Sequence, residues 1–313
     1  MPGAASVTEA LRRTTLLAAL ALAAGSVQAD ERCAELEPRV RELLHAMSTN
    51  TQAFEYSGVI TLQRGGDMQV MEISRRISGD TATQQLARLT GQDSRVMRVN
   101  HALSCLPPGQ QLLRSEQAQI GGVCGLGSVY QFRLSQGERV AGRDSLRLRV
   151  EPRDMYRFGY IFELDRDTAL MLKSTTLAED QRVLEQYQFA SLRLSEPADE
   201  AGAPEHCAGQ AQPESAVAGP RWEVGWIPDG FLHTDAAAPD SPRKSYTDGL
   251  AAFSVFLEPL SVAITPGEGV EREGSTVAYT RGRMLQQRPM LVTVLGEIPT
   301  NTARMVADSV RLR

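Results

Sequence analysis

The segment from Met155 to Leu192 constrains the fold most, because aromatic and apolar residues recur at every second position along much of it. Alternate side chains of an extended strand point to the same face of a sheet. The spacing therefore predicts three consecutive antiparallel strands, and the polar clusters Asp165–Thr168 and Glu179–Asp180 provide the two turns. A helix, a second sheet or an apolar ligand must cover the resulting aromatic face.

Segments before this one predict a larger sheet with one helix at its start. Apolar residues at helical spacing predict a helix over Glu35–Met47. Alternation over Phe54–Leu62 and Val70–Ile77, separated by a Gly-Gly turn, predicts a hairpin. The strands Arg95–Asn100 and Leu146–Val150 follow the same period, so we expect a curved antiparallel sheet around a helix, with an apolar concavity.

The chain of 313 residues is long for one core, and this length suggests two domains. Ser195–Gly219 is rich in Ala, Pro, Glu and Gly and is interpreted as a linker. After it, Asp248-Gly249 predicts a hairpin turn, and Thr300 is expected to cap a final helix. The predicted organisation is a first domain over residues 30–194, a linker over 195–219 and a smaller α+β domain over 220–313.

Residues 1–29 have the pattern of an export signal. Arg12 and Arg13 precede an apolar run, and Val27-Gln28-Ala29 fits a cleavage site before Asp30. This predicts a periplasmic protein, in which the four cysteines form two disulfides. Three pairings are possible, of which Cys105–Cys124 with Cys33–Cys207 is the expected one.

No catalytic or metal-binding constellation is evident. His45, His101, His206 and His233 are scattered, and neither an H-E-x-x-H motif nor a C-x-x-C pair occurs. The net charge of −5, without a basic stripe, argues against nucleic-acid binding. We therefore expect neither an enzyme nor a cofactor; a hydrolase using Cys124 is a distant alternative.

Three groups of segments resemble the MucB/RseB family of periplasmic negative regulators of the envelope-stress sigma factor. Their order and spacing along both domains carry the resemblance. They are Leu89–Asn100; Val140–Arg143 with Tyr160–Asp165 and Leu172-Lys173; and Trp226–Phe231 with Tyr246–Leu250 and Phe253–Val255. The segment Ala102–Gly137 is shorter than is usual in the family, and Cys124 resembles an addition.

The resemblance implies an α+β protein: a half-open antiparallel β-barrel plugged by helices, like the carriers LolA and LolB, followed by a smaller C-terminal domain. It also implies binding to the periplasmic domain of an inner-membrane anti-sigma factor, which is shielded from proteolysis until lipopolysaccharide or mislocalised lipoprotein releases it. A homodimer is a further expectation. A lipid or lipoprotein carrier of the LolA type is the alternative function.

Aromatic and apolar side chains supply the candidate sites for both ligands. The expected lipid-binding residues are Phe54, Tyr56, Tyr156, Phe158, Tyr160, Phe162, Leu164, Tyr187 and Phe189. The expected partner-binding residues are Trp226, Phe231, Tyr246 and Phe253.

Overall fold

A computed structural model describes residues 33–78, 81–91, 95–99, 108–120, 122–195, 220–234, 240–260 and 267–313. The expected signal peptide, the expected linker beyond Ser195, and Cys105 and Cys207 lie outside these residues. Within them, no helix is both long enough and apolar enough to cross a membrane.

Nine strands before the linker form one antiparallel sheet. Their spatial order is β4-β3-β2-β1-β11-β10-β9-β8-β7, and the two outermost strands do not pair with each other, so the sheet is open. The strands are β1 Glu55–Arg64, β2 Asp67–Ser78, β3 Thr81–Arg88, β4 Arg95–Val99, β7 Tyr130–Gln136, β8 Ser145–Pro152, β9 Gly159–Asp165, β10 Met171–Leu177 and β11 Val183–Ser195. A separate ribbon pairs β5 Gln119–Ile120 with β6 Val123–Cys124.

The nine-stranded sheet is curled, in agreement with the curved sheet predicted from the sequence. Ala141, in the turn between β7 and β8, packs against a cluster on β1, β2 and β11 that includes Tyr56, Ile60 and Phe189. The predicted hairpin β1–β2 and the predicted meander β9–β10–β11 are both confirmed.

One boundary in the meander was predicted wrongly. Strand β9 begins at Gly159, so Tyr156 and Phe158 belong to the loop that precedes it rather than to the strand. Tyr156 and Arg157 instead make contacts with the second domain, and these tertiary contacts override the alternating pattern.

In the part of the chain that the structure describes, three helices accompany the sheet: α1 Pro38–Ala53, α2 Pro108–Arg114 and α3 Leu126–Val129. Helix α1 confirms the predicted helix, although it starts and ends later than expected. Its buried residues Val40, Leu44 and Met47 form one core with the inward side chains of β7, β8 and β9. The aromatic face is therefore covered by the protein's own helices in this structure.

A disulfide between Cys33 and Cys124 ties the segment before α1 to the segment before α3. The expected pairing of Cys105 with Cys124 and of Cys33 with Cys207 is thus wrong. Close packing of the two segments explains the bond: the Ala34 amide donates to the Ser128 hydroxyl at 2.9 Å. This contact brings two remote parts of the chain together, which spacing along the sequence could not reveal.

The C-terminal domain contains a six-stranded antiparallel sheet with its own core. The order is β13-β14-β15-β18-β17-β16. The strands are β13 Leu232–His233, β14 Arg243–Thr247, β15 Ala252–Pro259, β16 Glu268–Glu273, β17 Thr276–Leu285 and β18 Arg288–Gly296. The predicted turn at Asp248-Gly249 connects β14 to β15, and Gly249 takes the left-handed φ of 101° that favours glycine there.

Helix α4, Thr300–Ser309, packs against this sheet through Ala303, Val306 and Ala307. The prediction that Thr300 caps the helix is wrong, because the N-cap residue is Pro299, without a capping side-chain hydrogen bond. The chain then forms β19, Val310–Leu312, which pairs with β12, Trp222–Val224, at the start of the domain.

Candidate functional site at the interface of the two domains

The interface centres on the side chain of Arg157, which is fully buried. Arg157 lies in the loop between β8 and β9. Its Nε donates to Oδ1 of Asp154, in the same loop, at 3.0 Å. Its other partners belong to the C-terminal domain: Nη1 donates to Asp248 Oδ2 at 2.8 Å, and Nη2 donates to the Asp229 carbonyl at 2.6 Å. One guanidinium thus joins three acceptors with the fixed fork geometry that only arginine has.

Asp248 is the matching anion, and its side chain is also fully buried. Its Oδ1 accepts the amides of Leu250 and Ala251 at 3.0 and 2.8 Å, which fixes the turn. Its Oδ2 accepts both Arg157 and the hydroxyl of Tyr130, the latter at 2.9 Å. The carboxylate therefore serves two purposes, because one oxygen shapes its own turn and the other binds the first domain.

Burial and charge shift the protonation of this cluster. Burial is the largest influence on Arg157 and would lower its pKa. The charge of Asp248, followed by Tyr130 and Asp154, outweighs it, so the pKa is raised. Burial raises the pKa of the Asp248 carboxyl, while Arg157 is the strongest influence that lowers it. Burial and Asp248 raise the pKa of Tyr130 well above its ordinary value, which keeps its hydroxyl a donor.

Aromatic rings enclose the ion pair. The Arg157 guanidinium carbon lies 5.4 Å from the ring centre of Tyr130 and 5.1 Å from that of Phe231. Gly230, next to Phe231, has a φ of 85°, and a side chain there would come within 2.9 Å of Val129 in α3. A glycine is required at this close approach. The side chains of Arg157 and Asp248 are both fully buried, so the ion pair is shielded from solvent.

Beside the ion pair, an apolar patch spans both domains. Tyr156 of the first domain packs edge-on against Trp226 of the second, with ring centres 5.2 Å apart. The Thr302 hydroxyl in α4 donates to the Tyr156 carbonyl at 3.1 Å, and Met305 follows one turn later. Both aromatic side chains are half-buried, whereas Met155 and Met305 are 64% and 41% exposed. We call Tyr156 and Trp226, together with Met155 next to Tyr156 in the chain and Met305 one helical turn from Thr302, the seam patch.

A second, polar contact joins the domains at the tips of two hairpins. Arg64 donates to Glu185 in its own domain at 3.0 Å and to Glu273 in the other at 2.8 Å. The Ser275 hydroxyl donates to Glu185 at 3.3 Å. A cleft of about 230 Å³ lies between the tips, next to Arg64 and Arg272. The charged side chains of Arg64, Glu185 and Glu273 are 31%, 19% and 68% exposed, so solvent screens the attraction between them.

Most of the expected lipid-binding residues are in the interior. Phe158, Tyr160, Phe162 and Leu164 belong to the core beneath α1, and Tyr56 and Phe189 belong to the cluster on β1 and β11. Phe54, Tyr156 and Tyr187 are half-buried. The structure thus divides eight of the nine residues between two clusters and one interface position, whereas Phe54, directly after α1, belongs to none of these. Because α1 covers the core on β7, β8 and β9, an acyl chain that enters this core must displace the helix.

The expected partner-binding residues are divided as well. Phe231, Tyr246 and Phe253 lie together in the core of the C-terminal domain, whereas Trp226 is half-buried, packs against that core and belongs to the seam patch. Sequence reasoning missed Arg157 and Asp248 as a pair. Among the described residues, no cluster of His, Cys, Asp and Glu could hold a metal ion.

The chain matches both parts of one protein family. The family model for the MucB/RseB N-terminal domain matches residues 39–207, and that for the MucB/RseB C-terminal domain matches residues 217–311. The sigma factor AlgU regulatory protein MucB of Pseudomonas aeruginosa is 36% identical over 277 residues, covering 82% of this chain and 85% of that protein. The sigma-E factor regulatory protein RseB of Salmonella typhimurium is 24% identical, covering 90% and 93%.

Solved structures agree with these matches. The crystal structure of MucB in complex with MucA(peri) superimposes with a TM-score of 0.66 at 32% identity, covering 88% of this chain and 99% of that one. A crystal structure of MucB superimposes with a TM-score of 0.60 at 31% identity, with the same coverage. With both family domains matched in order over most of its length, this chain belongs to the MucB/RseB family.

Proposed function

We propose that this protein is a periplasmic, non-enzymatic regulator that binds the periplasmic part of an inner-membrane anti-sigma factor and protects it from proteolysis. Membership of the MucB/RseB family supports this, as do the names of its relatives, which are regulatory proteins of sigma factors. The related MucB has been crystallised in complex with MucA(peri). Cleavage after Ala29 is part of the proposal, and N-terminal sequencing of the exported protein should then begin at Asp30.

The seam patch is the surface that we propose for the anti-sigma segment. It combines a half-buried tryptophan and tyrosine with two exposed methionines. Tryptophan and tyrosine dominate the binding energy of protein interfaces, and methionine adapts its shape to different partners. Because each domain contributes half of the patch, only the two-domain protein presents it, which is the observation that carries this proposal.

Binding can be tested with the periplasmic segment of Pseudomonas aeruginosa MucA, labelled for fluorescence anisotropy. Trp226→Ala should weaken binding at least about 30-fold, since interface hot spots lose 2 kcal/mol or more on truncation. The matched control is Met284→Ala, because Met284 is 57% exposed in β17 and lies outside the seam patch. Equal affinities of the Trp226 variant and the unmodified protein would exclude the patch as the binding surface.

We further propose that acyl chains of lipopolysaccharide or mislocalised lipoprotein release the segment. The proposed route runs through Tyr130, whose ring lies 6.5 Å from that of Tyr160 on the aromatic face. The Tyr130 hydroxyl also binds Asp248 of the other domain, so a chain that enters beneath α1 would press on the interface. In the same anisotropy assay, lipopolysaccharide should displace the MucA segment, and dispersed lipopolysaccharide lacking its acyl chains should not.

We also propose a domain organisation and an oligomeric state for this protein. The proposed domains, 30–194 and 220–313 with a linker over 195–219, are supported by the separate sheets and by the two family matches. A homodimer is also proposed on the family resemblance alone, and sedimentation equilibrium would test it. A protein that remains a monomer at all accessible concentrations would contradict that part only.

A further inference from the structure

We propose that Arg157 is a positioning residue: its buried ion pair with Asp248 holds the two halves of the seam patch together, yet allows the domains to separate. This inference rests on the proposed function, because it assigns the way in which the peptide-binding surface is assembled. It concerns neither the lipid nor the identity of the partner.

The position of Arg157 in the chain links it directly to the patch. Met155 and Tyr156 precede it in the same short loop, so the backbone that carries the first half of the patch moves with the guanidinium. On the other side, Arg157 Nη2 binds the carbonyl of Asp229 at 2.6 Å. Asp229 follows Trp226 in the loop between β12 and β13, so one side chain fixes both loops.

Arg157 has one contact within its own domain, and its other contacts form only when the two domains close onto each other. Asp154, in its own loop, accepts Nε in either state. Asp248, the Asp229 carbonyl and the Phe231 ring are available only when the domains are in contact. Closure therefore adds three partners at once, and a small displacement weakens all of them together, because all three depend on the orientation of one planar guanidinium.

A buried ion pair is suited to an interface that must open. Removing two charges from water nearly cancels the attraction gained between them, so the pair adds specificity with little net stability. When the domains separate, both charges regain water. An apolar contact of the same size would instead oppose separation in proportion to its area. Arg157 and Asp248 thus define one closed geometry without making it permanent.

The pair also predicts an unequal response to substitution. Arg157→Met leaves the Asp248 carboxylate buried without its cation, which favours the open state. Asp248→Asn keeps an oxygen to accept the amides of Leu250 and Ala251, and Arg157 keeps Asp154. The double variant has no buried charge left to expose. Closure, and with it the patch, should therefore recover in the double variant.

The test compares the affinities of four proteins for the labelled MucA segment. Arg157→Met should weaken binding on the order of tenfold, within the usual range of coupling between sites. Asp248→Asn should weaken binding less than Arg157→Met does. The double variant should bind within about threefold of the unmodified protein. Such a non-additive result would not follow from lost packing alone. Double-variant binding as weak as the product of the two single losses, or unchanged binding by Arg157→Met, would overturn the inference.

A second readout needs no partner. The protein has two tryptophans, so each protein is compared with its own Trp226→Phe version to obtain the emission of Trp226 by difference. This emission reports the contact of Trp226 with Tyr156 and should shift to longer wavelength in Arg157→Met and return in the double variant. If the unmodified protein fails to bind the MucA segment, the proposed function fails, and this emission still decides the role of Arg157. If Arg157→Met does not fold, Arg157→Lys replaces it: a lysine can reach Asp248 but cannot also bind Asp154 and Asp229, so intermediate affinity and emission are expected. Lysine-variant values equal to those of the unmodified protein would overturn the inference.

Discussion

Replacing Cys33 and Cys124 by serine should destabilise the first domain strongly and loosen the cover of its aromatic face. The bond anchors the segment before α1 to that before α3, and Gly127 in α3 lies so close to Ala34 that an added Cβ would be 2.4 Å from its carbonyl oxygen. Without the bond, the start of α1 is held only by noncovalent contacts. The same helix buries Tyr160 and Phe162, so a looser helix leaves these rings less protected.

The size of the effect follows from the length of the closed loop. The two cysteines are 91 positions apart. The chain-entropy relation for such a loop gives about 4.6 kcal/mol, and removal of native disulfides from small domains typically costs about 2–5 kcal/mol. We therefore expect the free energy of unfolding to fall by about 2–5 kcal/mol.

Urea unfolding followed by circular dichroism measures this loss. The matched control is Cys105→Ser with Cys207→Ser, which retains the bond between Cys33 and Cys124, so a loss of stability beyond that of this control is due to the bond. The serine variant of Cys33 and Cys124 should also bind more of a dye that fluoresces on apolar surfaces. A loss below about 1 kcal/mol would refute the reasoning, because the bond would then be absent or would not restrict the unfolded chain.

Two further predictions concern the interface and the core. In the Arg157→Met protein, the strongest influence that lowers the pKa of Asp248 is gone, so the pKa, already raised by burial, rises further. A carboxyl whose pKa is higher in the folded than in the unfolded protein stabilises the fold fully at pH values below its unfolded-state pKa. This contribution is about 1.4 kcal/mol per unit of difference between the two pKa values, and it is lost as the pH rises through the folded-state pKa. This variant should therefore be more stable near pH 5 than near pH 8 relative to the unmodified protein, and adding Asp248→Asn should abolish the difference in thermal melts; an unchanged difference would contradict the assignment to Asp248. Leu44→Ala should lower the free energy of unfolding by about 3 kcal/mol, since Leu44 is 0% exposed in α1, whereas the control Glu42→Ala on the exposed side should change it by less than about 0.5 kcal/mol; similar losses in both would show that the helix does not seal the core.

The sequence predicts those elements whose apolar pattern is local and regular. The meander from β9 to β11 and the hairpin β1–β2 are examples, because one buried face dictates the alternation. Strand β16 was missed for the opposite reason: it is an exposed edge strand rich in Glu and Arg, without an apolar face to mark it. Helices α2 and α3, of seven and four residues, are too short to show a helical period.

The candidate site was only partly predictable. Trp226 and Tyr156 were selected for their type, but they were assigned to different ligands, and only the tertiary structure brings them together. Arg157 and Asp248 are 91 residues apart, and the residues around each suggest a local role that does not involve the other. Arg157 alternates with aromatic residues and would be expected to face solvent, while Asp248 fits its turn. Burial of both charges is a property of the closed domains, which no local pattern encodes.

The pairing of β12 with β19 has a consequence for the order in which the C-terminal domain matures. Trp222, among the first residues of the domain, lies opposite Leu312, which follows α4. A chain that is synthesised from its N-terminus must therefore leave the indole of Trp222 without its neighbouring strand until nearly the whole domain has been made. The entry and the exit of the domain are also adjacent in space. Joining them by a short peptide and opening the chain at an exposed turn should give a circular permutant with the same core.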